Sequence, residues 1–200
     1  MPTGFSALTT TAAVRKEQLH YYGASRPIPS EAGSDTLTEE EKNFIEERDS
    51  FYLSTVTETG WPYIQHRGGS PGFLRVTGPQ SLAFADYKGN RQLVTTGNIA
   101  AGSRVALFLM DYPRQTRLKI LGHARVEDAR SNADLVKQLA EPERWSKVER
   151  LFFIDVVAFD WNCPQYITPR YTLAEIEQMV RPLRERIADL TQQIEKKGKS

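Results

Sequence analysis

The chain has 200 residues, 26 of them basic and 25 acidic, which gives a formal net charge of +1 at pH 7. A chain of this length can bury one sizeable core and favours a single domain. The balanced charge argues against a nucleic-acid-binding protein, because such domains usually carry a strongly basic surface. The one cysteine, Cys163, cannot form an internal disulfide, which fits a reducing compartment.

The hydropathy pattern also argues against a membrane protein. No apolar run approaches the roughly 18 residues that a membrane-spanning helix needs. The N-terminus lacks the charged, apolar and small-residue order of a signal peptide. We therefore expect a cytoplasmic protein that binds neither membrane nor nucleic acid.

Residues 1–37 are predicted to form an extension packed on the surface of the domain. A short helix is expected at about residues 11–22, and the prolines that follow it, Pro27 and Pro29, prevent a continued helix or a central strand. Thr38 and Glu41 then have the spacing of a capping box, so a helix is predicted over residues 38–49.

From Phe51 onward the pattern predicts short strands separated by turns. Several runs are rich in β-branched and aromatic residues, as strands require. They are residues 51–57 and 62–67, which form a hairpin, and then 73–77, 82–85, 105–110, 117–126 and 151–161. Many short strands with few long helices are typical of a barrel or a sandwich.

Two further helical regions are predicted. Residues 129–148 have one apolar face and a break at Pro142. A C-terminal helix begins near Thr172, with apolar residues every three or four positions. Pro182 is expected to kink or divide this helix because it removes a backbone hydrogen bond, and residues 196–200 are expected to form a frayed tail.

Familiar catalytic motifs are missing from the sequence. The histidines at positions 20, 66 and 123 are scattered, with no His-Glu-x-x-His motif and no paired cysteines, so no metal site is predicted. The segment Gly69-Ser70-Pro71-Gly72 does not match the nucleophile turn of hydrolases. Neither a dinucleotide-binding glycine motif nor a nucleoside-triphosphate loop occurs, and no residue is predicted to be a catalytic acid or base.

One unusual break in the pattern is Gly89-Asn90-Arg91. A Gly-Asn pair between two apolar runs is a common β-hairpin loop. If a helix begins there instead, its positive end and Arg91 would suit a phosphate monoester. The spacing alone leaves both interpretations open.

Two other breaks also have two interpretations each. Arg67-Gly68-Gly69 is either a bulge in a barrel strand or a surface on which a flat ring lies against the backbone. The segment from Trp161 to Arg170 places aromatic side chains beside hydrogen-bonding groups such as Gln165. It is either a binding segment or a plain buried loop.

Taken in order, these segments resemble a known family. The predicted hairpin, Gln65 to Gly69, Gly89-Asn90-Arg91, Gly97-Asn98-Ile99 and the Trp161–Gln165 segment with Arg170 are similar to the pyridoxamine 5′-phosphate oxidase-like, FMN-binding split barrels. The resemblance is greatest to uncharacterised flavin-nucleotide-binding members with a Trp-Asn-Cys-Pro-Gln segment. It covers about residues 38–172, and residues 173–200 form a C-terminal helix and tail outside it.

The resemblance implies a mainly β fold with peripheral helices, namely an FMN-binding split β-barrel that forms a homodimer with FMN at the subunit interface. It implies that a helix begins after Asp86. It also implies roles for ten cofactor-binding residues. In that assignment His66, Arg67, Gly68 and Gly69 line the flavin, Asn90 and Arg91 hold its phosphate, Asn98 belongs to the same region, and Trp161, Gln165 and Arg170 reach the flavin from the partner subunit.

The chain also departs from the family in two places. Pyridoxamine 5′-phosphate oxidases carry consecutive Arg-Lys in the phosphate loop, whereas this chain has Arg91-Gln92. Their Trp-rich C-terminal segment is replaced here by an amphipathic helix. We therefore expect an FMN-dependent oxidoreductase that uses another small-molecule substrate or electron donor. The alternatives are a flavin carrier without turnover and a split barrel that binds haem or a deazaflavin.

Overall fold

The computed structural model describes residues 4–27, 33–161 and 164–197. Its helices are α1 (Gly4–Thr9), α2 (Ala12–Tyr22), α3 (Glu39–Glu46), α4 (Val94–Ala101), α5 (Ala133–Leu139) and α6 (Leu173–Lys197), with 3₁₀ turns at Ala129–Ser131 and Pro142–Lys147. Its strands are β1 (Ser50–Val56), β2 (Pro62–Gly68), β3 (Arg75–Gly78), β4 (Ser81–Tyr87), β5 (Arg104–Asp111), β6 (Thr116–Asp128) and β7 (Val148–Trp161).

The chain divides into two compact units. The first comprises Met1–Asp111 and Arg117–Cys163 and contains nearly all of the sheet. The second comprises Tyr112–Thr116 and Pro164–Ser200 and contains α6.

The seven strands form one antiparallel sheet in the order β2-β1-β5-β6-β7-β4-β3. β1 and β2 are the predicted hairpin, paired from Ser50 with Gly68 to Val56 with Pro62. β7, the longest apolar run of the sequence, lies between β6 and β4 and is a central strand as expected. The sheet with its peripheral helices confirms the predicted fold class.

The sheet curls around the larger of two hydrophobic clusters. β1 and β4 are separated by three strands in the sheet order, yet the rings of Phe51 on β1 and Phe84 on β4 lie 5.4 Å apart. Phe84 also stacks on Phe152 of β7 at 4.8 Å. These three aromatic side chains are nearly inaccessible to solvent. Because aromatic side chains bury large apolar areas, this cluster is a major part of the barrel core.

A β-bulge bends the long pair of β6 and β7. The register shifts between Leu121 and Gly122. A Cβ atom at position 122 would lie only 2.6 Å from the carbonyl oxygen of Asp155, so no larger residue fits there without movement of the backbone. Bulges of this kind increase local bending, as a closing sheet requires.

Helix α3 begins with the predicted capping box. The backbone N–H of Thr38 donates to Glu41 Oε2 at 2.9 Å, and the Thr38 side chain accepts from the backbone N–H of Glu40. The other carboxylate oxygen of Glu41 accepts a 2.8 Å hydrogen bond from the indole of Trp161. Burial alone would raise the pKa of Glu41, but the hydrogen bonds from Thr38 and Trp161 outweigh it and lower the pKa.

Several predictions about helices are confirmed and others need correction. α2 begins after the cap residue Thr11, close to the predicted bounds. The region 129–148 is helical, but it is divided into α5 and two 3₁₀ turns. α6 runs through Pro182 without division, and a kink there stays a prediction. The short helix α1 was not anticipated from the sequence.

A few predictions fall outside the part of the chain that is described. They concern Pro29 in the extension, positions 162 and 163 of the Trp-Asn-Cys-Pro-Gln segment, and the end of the predicted tail at 198–200. Among the helices within the described ranges, none has the length and hydropathy needed to cross a membrane.

We predict that Glu41→Gln lowers the free energy of unfolding at pH 7 by about 1–3 kcal/mol, because buried donors lose a charged acceptor. The folded-state pKa of Glu41 is depressed, so its contribution is complete above the unfolded pKa of about 4.5 and is lost as pH falls through the folded value. The stability difference from the unmodified protein should therefore narrow in acid. Urea denaturation across pH 3–7 measures it.

The matched control is Glu40→Gln, which removes an exposed charge from the same helical turn. It should change stability by less than about 0.5 kcal/mol. An equal loss in both variants would contradict a specific role for the Glu41–Trp161 contact.

Candidate anion-binding site

A polar cavity of about 210 Å³ lies where three strands and a helix meet within the first unit. β2, the end of β4, the start of β7 and the first turn of α4 all contribute, together with the loop 88–93. Its lining residues are Tyr63, Gln65, Arg67, Asp86, Tyr87, Gly89, Asn90, Arg91, Gln92, Leu93, Val94, Thr95, Thr96 and Arg150.

The alternation of β2 decides which of its side chains reach the cavity. Tyr63, Gln65 and Arg67 are half-buried and share one face, because side chains two residues apart point to the same side of a strand. The Tyr63 hydroxyl donates to Gln65 Oε1 at 2.6 Å, which fixes both side chains. β2 therefore presents a row of polar groups to the cavity.

A carboxylate joined to two guanidinium groups forms the back of the cavity. Asp86 on β4 accepts from Arg67 Nη1 at 2.7 Å through Oδ1 and from Arg150 Nε at 2.8 Å through Oδ2. The Asp86 side chain is 12% exposed, and those of Arg67 and Arg150 are 19% and 18% exposed. Because water is largely excluded, these charge-assisted hydrogen bonds hold β2, β4 and β7 in fixed positions.

Arg67 retains unused hydrogen-bonding capacity. Its Nε atom is buried and has no hydrogen-bond partner among the described residues. The guanidinium lies 5.3 Å from the ring centre of Phe152 and 6.0 Å from that of Phe84. A buried donor without a partner is uncommon, which makes the surroundings of Arg67 a candidate for ligand contact.

The loop before α4 holds Arg91 in an unusual backbone conformation. Asn90 Oδ1 accepts a 3.1 Å hydrogen bond from the backbone N–H of Gln92, an arrangement typical of an Asx turn. Arg91 and Leu93 have φ values of 63° and 56°, in the left-handed region that few non-glycine residues occupy. Strained backbone of this kind is often found at ligand sites.

The Arg91 side chain is free to meet a ligand. It is exposed at the cavity and has no ion-pair partner within residues 4–27, 33–161 and 164–197. Its position also settles the two interpretations of Gly89-Asn90. The chain continues into helix α4 rather than into a hairpin strand, so the hairpin interpretation is wrong. The expected helix is present, but it begins at Val94, later than the predicted start after Asp86, because β4 extends to Tyr87 and a loop follows it.

The N-terminus of α4 adds backbone donors to the cavity. The residues of its first turn, Val94, Thr95 and Thr96, line the cavity, and the preceding residue Leu93 makes no side-chain capping bond in the described structure. The first N–H groups of a helix have no intrahelical acceptor, and the helix dipole makes this end positive. Such an end is a suitable site for an anion.

The charges that line the cavity do not balance. Three guanidinium groups, those of Arg67, Arg91 and Arg150, line the cavity together with the carboxylate of Asp86. Asp86 pairs with Arg67 and Arg150, and Arg150 also pairs with Glu149 at 3.1 Å, so these four groups balance one another and Arg91 is left as an excess positive charge. The cavity therefore has the charge and the donors to bind a small anion.

A larger cavity of about 840 Å³ shares Thr96 and Arg150 with the first. Its charged lining residues are balanced, with Arg125, Arg130 and Arg150 opposite Glu127, Asp128 and Glu149. Hydrogen bonds from Arg130 lower the pKa of Asp128 to about 2, so this pair remains ionised and mutually satisfied. This larger cavity provides space but no comparable preference for an anion.

The sequence-predicted glycine segment lies partly outside the small cavity. His66 is exposed on the opposite face of β2, where its ring meets that of Tyr52 edge to face at 5.6 Å. A Cβ atom at Gly69 would lie 2.7 Å from the ring of Phe73, so the ring that requires this glycine belongs to the same chain. Gly68 is close to His66 and to the backbone of Asp49.

Two other predicted cofactor residues have structural partners. Asn98 is buried in α4 and donates to Thr55 Oγ1 of β1 at 2.9 Å, which fastens the helix to the barrel. Trp161 bonds to Glu41 and packs edge to face on Phe44 at 4.7 Å. Neither lines the small cavity in the described structure, and their contact with a flavin stays a prediction.

Gln165 and Arg170 belong to the second unit. Gln165 is exposed, and the Arg170 guanidinium lies 5.1 Å from the ring centre of Tyr112 in the same unit. Ile167, between them, is buried, and its carbonyl accepts a 2.6 Å hydrogen bond from Gln115. Their role toward a partner subunit stays a prediction.

The lining of the cavity includes Gln65, Asp86 and Arg150, which were not among the residues predicted from the sequence to bind a cofactor. Gln65 could have been found, because the period of two places it on the same face as Arg67 and opposite to His66. The residues next to Asp86 and Arg150 in the sequence contain no motif that would have indicated a site there. Asp86 and Arg150 are register partners on β4 and β7, strands that are far apart in the sequence.

Comparison with protein families identifies the family of this chain. The family described as pyridoxamine 5′-phosphate oxidase matches residues 37–157. This match covers more than half of the 200 residues, so the chain belongs to the pyridoxamine 5′-phosphate oxidase family, and its fold is the split β-barrel that the sequence predicts. No curated protein matches the chain.

Solved structures with related folds include three of note. A candidate pyridoxamine 5′-phosphate oxidase from Lactobacillus delbrueckii is 25% identical, with a TM-score of 0.49 over 62% of this chain and 93% of that one. An FMN-binding protein from Syntrophomonas wolfei is 12% identical, with a TM-score of 0.45 over 62% and 85%. HutZ, a haem storage protein from Vibrio cholerae, is 16% identical, with a TM-score of 0.44 over 62% and 94%.

We predict that Asp86→Ala lowers the free energy of unfolding by about 3–5 kcal/mol, because it leaves two largely buried guanidinium groups without their counter-charge. Equilibrium denaturation in urea measures the loss. Asp155→Ala is the matched control, since it breaks a 3.5 Å pair with Arg125 in which both side chains are more than half exposed. The control should cost less than about 1 kcal/mol, and an equal cost at both positions would contradict the role assigned to Asp86.

Proposed function

We propose that this protein binds FMN with the phosphate of the cofactor in the small cavity, and that it is an FMN-dependent oxidoreductase. The observation that supports the proposal most strongly is the guanidinium of Arg91, which has no ion-pair partner in the described structure and lies in the cavity beside the N-terminus of α4. A phosphate monoester carries a charge of about −1.5 to −2 near pH 7, so it is attracted both to this guanidinium and to the positive end of the helix.

Each part of the cavity has a role in this proposal. Arg91 and the first-turn N–H groups of α4 bind the phosphate oxygens, while Asn90 holds the loop in its conformation. Gln65 and Arg67 offer polar contacts along β2, the latter through its buried Nε. Asp86 keeps Arg67 and Arg150 in position.

The size of the cavity indicates that it holds only part of the cofactor. Its volume of about 210 Å³ is below the roughly 300–1,000 Å³ of pockets that enclose a whole ligand. The flavin ring must therefore extend beyond it. We propose that a second copy of the chain covers the ring, so that the protein is a homodimer with FMN at the subunit interface.

The chemistry of the proposed enzyme belongs to the cofactor. When bound, FMN supplies electron or hydride transfer, and the protein contributes binding and orientation. The one carboxylate that lines the small cavity, Asp86, is engaged by two arginines, so we assign it a structural role and not that of an acid or base.

We predict that Arg91→Ala weakens FMN binding by roughly 10- to 100-fold, because a hydrogen bond to a charged group contributes about 1.5–3 kcal/mol. The same substitution should leave the binding of riboflavin, which lacks the phosphate, nearly unchanged. Titrations of the apoprotein followed by flavin fluorescence measure both affinities. The double variant Asn90→Ala with Arg91→Ala should lose visible flavin absorbance on purification.

Lys88→Ala is the matched control for Arg91→Ala. Lys88 lies in the same loop and carries the same charge, but it is not among the residues that line the cavity. It should change FMN affinity by less than about threefold, since exposed charges are screened by salt. Equal losses of FMN and riboflavin affinity in Arg91→Ala would overturn the assignment of the phosphate site.

We expect NADH or NADPH to bleach the visible absorbance of the FMN-loaded protein under anaerobic conditions, as a nicotinamide-linked reductase requires. Free FMN at the same concentration is the control. If neither reductant bleaches the bound flavin, the protein acts as a flavin carrier toward these donors. A purified protein whose visible spectrum is that of haem or of a deazaflavin would contradict the choice of FMN.

A further inference from the structure

Helix α6 has its own start signal and a long exposed apolar face. The Thr172 side chain accepts from the backbone N–H of Glu175 at 3.2 Å, and the Glu175 carboxylate accepts from the backbone N–H of Thr172 at 2.7 Å. This reciprocal pair is a capping box. The helix then runs for 25 residues, and none of its side chains is buried in the described structure.

The apolar residues of α6 follow a strict heptad pattern. The branched aliphatic residues occur at alternating intervals of three and four residues, at Leu173, Ile176, Val180, Leu183, Ile187, Leu190 and Ile194, and Met179 lies beside this row. A surface helix that packs on its own domain usually has a period near 3.6, whereas a repeat of 3.5 residues is typical of a coiled coil. Most of these side chains are clearly exposed, from 41% for Leu190 to 86% for Leu173.

The type of residue at each position favours a two-stranded assembly. If Leu173 is placed at heptad position a, the remaining a positions hold Val180, Ile187 and Ile194, which are β-branched. The d positions hold Ile176, Leu183 and Leu190. In parallel coiled coils, β-branched residues at a combined with leucine at d favour two strands over three or four.

The flanking charges favour the parallel arrangement over the antiparallel one. In an antiparallel pair aligned end to end, Arg186 would lie opposite Arg186 of the second copy. Arg184 would also lie opposite its copy, although Glu177 of the same helix already offsets its charge at 2.7 Å. In a parallel pair, Arg184 lies beside Met179 of the second copy and Arg186 beside Thr191. Like charges in direct opposition are unfavourable, so the parallel pair avoids a repulsion that the antiparallel pair contains.

We propose that α6 pairs with α6 of a second copy of this chain as a parallel, in-register, two-stranded coiled coil. The exposed apolar face of α6 thus packs against the same face of α6 in a second molecule. The helix is about 37 Å long at 1.5 Å per residue, which spans the seven core positions.

Pro182 is compatible with this arrangement. It falls at heptad position c, on the side of the helix away from the proposed partner, where its ring does not enter the apolar seam. A proline opens the helix on its own side, and a helix that wraps around a partner is convex on its outer side. Any bend at Pro182 would therefore follow the direction that a supercoil needs.

The test is disulfide cross-linking in full-length protein. In a Cys163→Ser background, which removes the one natural cysteine, Leu190→Cys places a thiol at a d position. Parallel, in-register helices bring the two copies of a d residue within disulfide distance. Mild oxidation should shift the band on a non-reducing gel from the mass of one chain to that of two.

Gln192→Cys is the matched control, because it lies two residues away at the outer position f and should stay at the mass of one chain. An equal mixture of Val180→Cys and Leu190→Cys proteins is the antiparallel test, since those positions meet only in the antiparallel pair. Cross-linking of Leu190→Cys no faster than Gln192→Cys, or preferential linking of position 180 to 190, would overturn the proposal. Loss of FMN binding by the Arg91 variant would not affect this outcome, so the two proposals fail independently.

Discussion

The carboxylate of Asp86, held between Arg67 and Arg150, is the interaction on which the candidate site depends. It joins the ends of β4 and β7, which are neighbours in the sheet, to the end of β2, which reaches them because the barrel closes. Its negative charge keeps two guanidinium groups in a partly dehydrated place where they would otherwise repel each other. Arg150 also pairs with Glu149, so this group of four charges is balanced and forms a fixed wall beside which Arg91 adds a positive charge.

The loop before α4 supplies the guanidinium of Arg91 and leads into the N-terminus of α4, two groups that the strands of the barrel do not provide. Asn90 closes an Asx turn on Gln92, and this places Arg91 and Leu93 in the left-handed region. The guanidinium of Arg91 and the first N–H groups of α4 consequently reach the same cavity. Gln92 stands where the pyridoxamine 5′-phosphate oxidases proper are expected to carry a second cation. Its neutrality leaves Arg91 as the guanidinium of the cavity that no carboxylate pairs with in the described structure.

Sequence reasoning succeeded where the signal was local. The capping box at Thr38, the hairpin of β1 and β2, the apolar run of β7 and the position of Arg91 could all be predicted from neighbouring residues. Contacts between distant strands could not, because the pairing of Asp86 with Arg150 depends on the register of β4 against β7. The glycines at 68 and 69 suggested a flavin surface, yet the ring of Phe73 accounts for the small residue at 69. A glycine in the sequence shows that the space beside its backbone can hold a ring, but it does not show whether that ring is a cofactor or a side chain of the same protein.

The coiled-coil proposal for α6 and the FMN proposal for the barrel rest on separate features. A crystal structure of the protein with FMN tests the binding of the cofactor phosphate in the small cavity. We expect the phosphate to lie within hydrogen-bond distance of the Arg91 guanidinium and of the first-turn N–H groups of α4. A phosphate bound elsewhere, with the small cavity filled only by water, would contradict it.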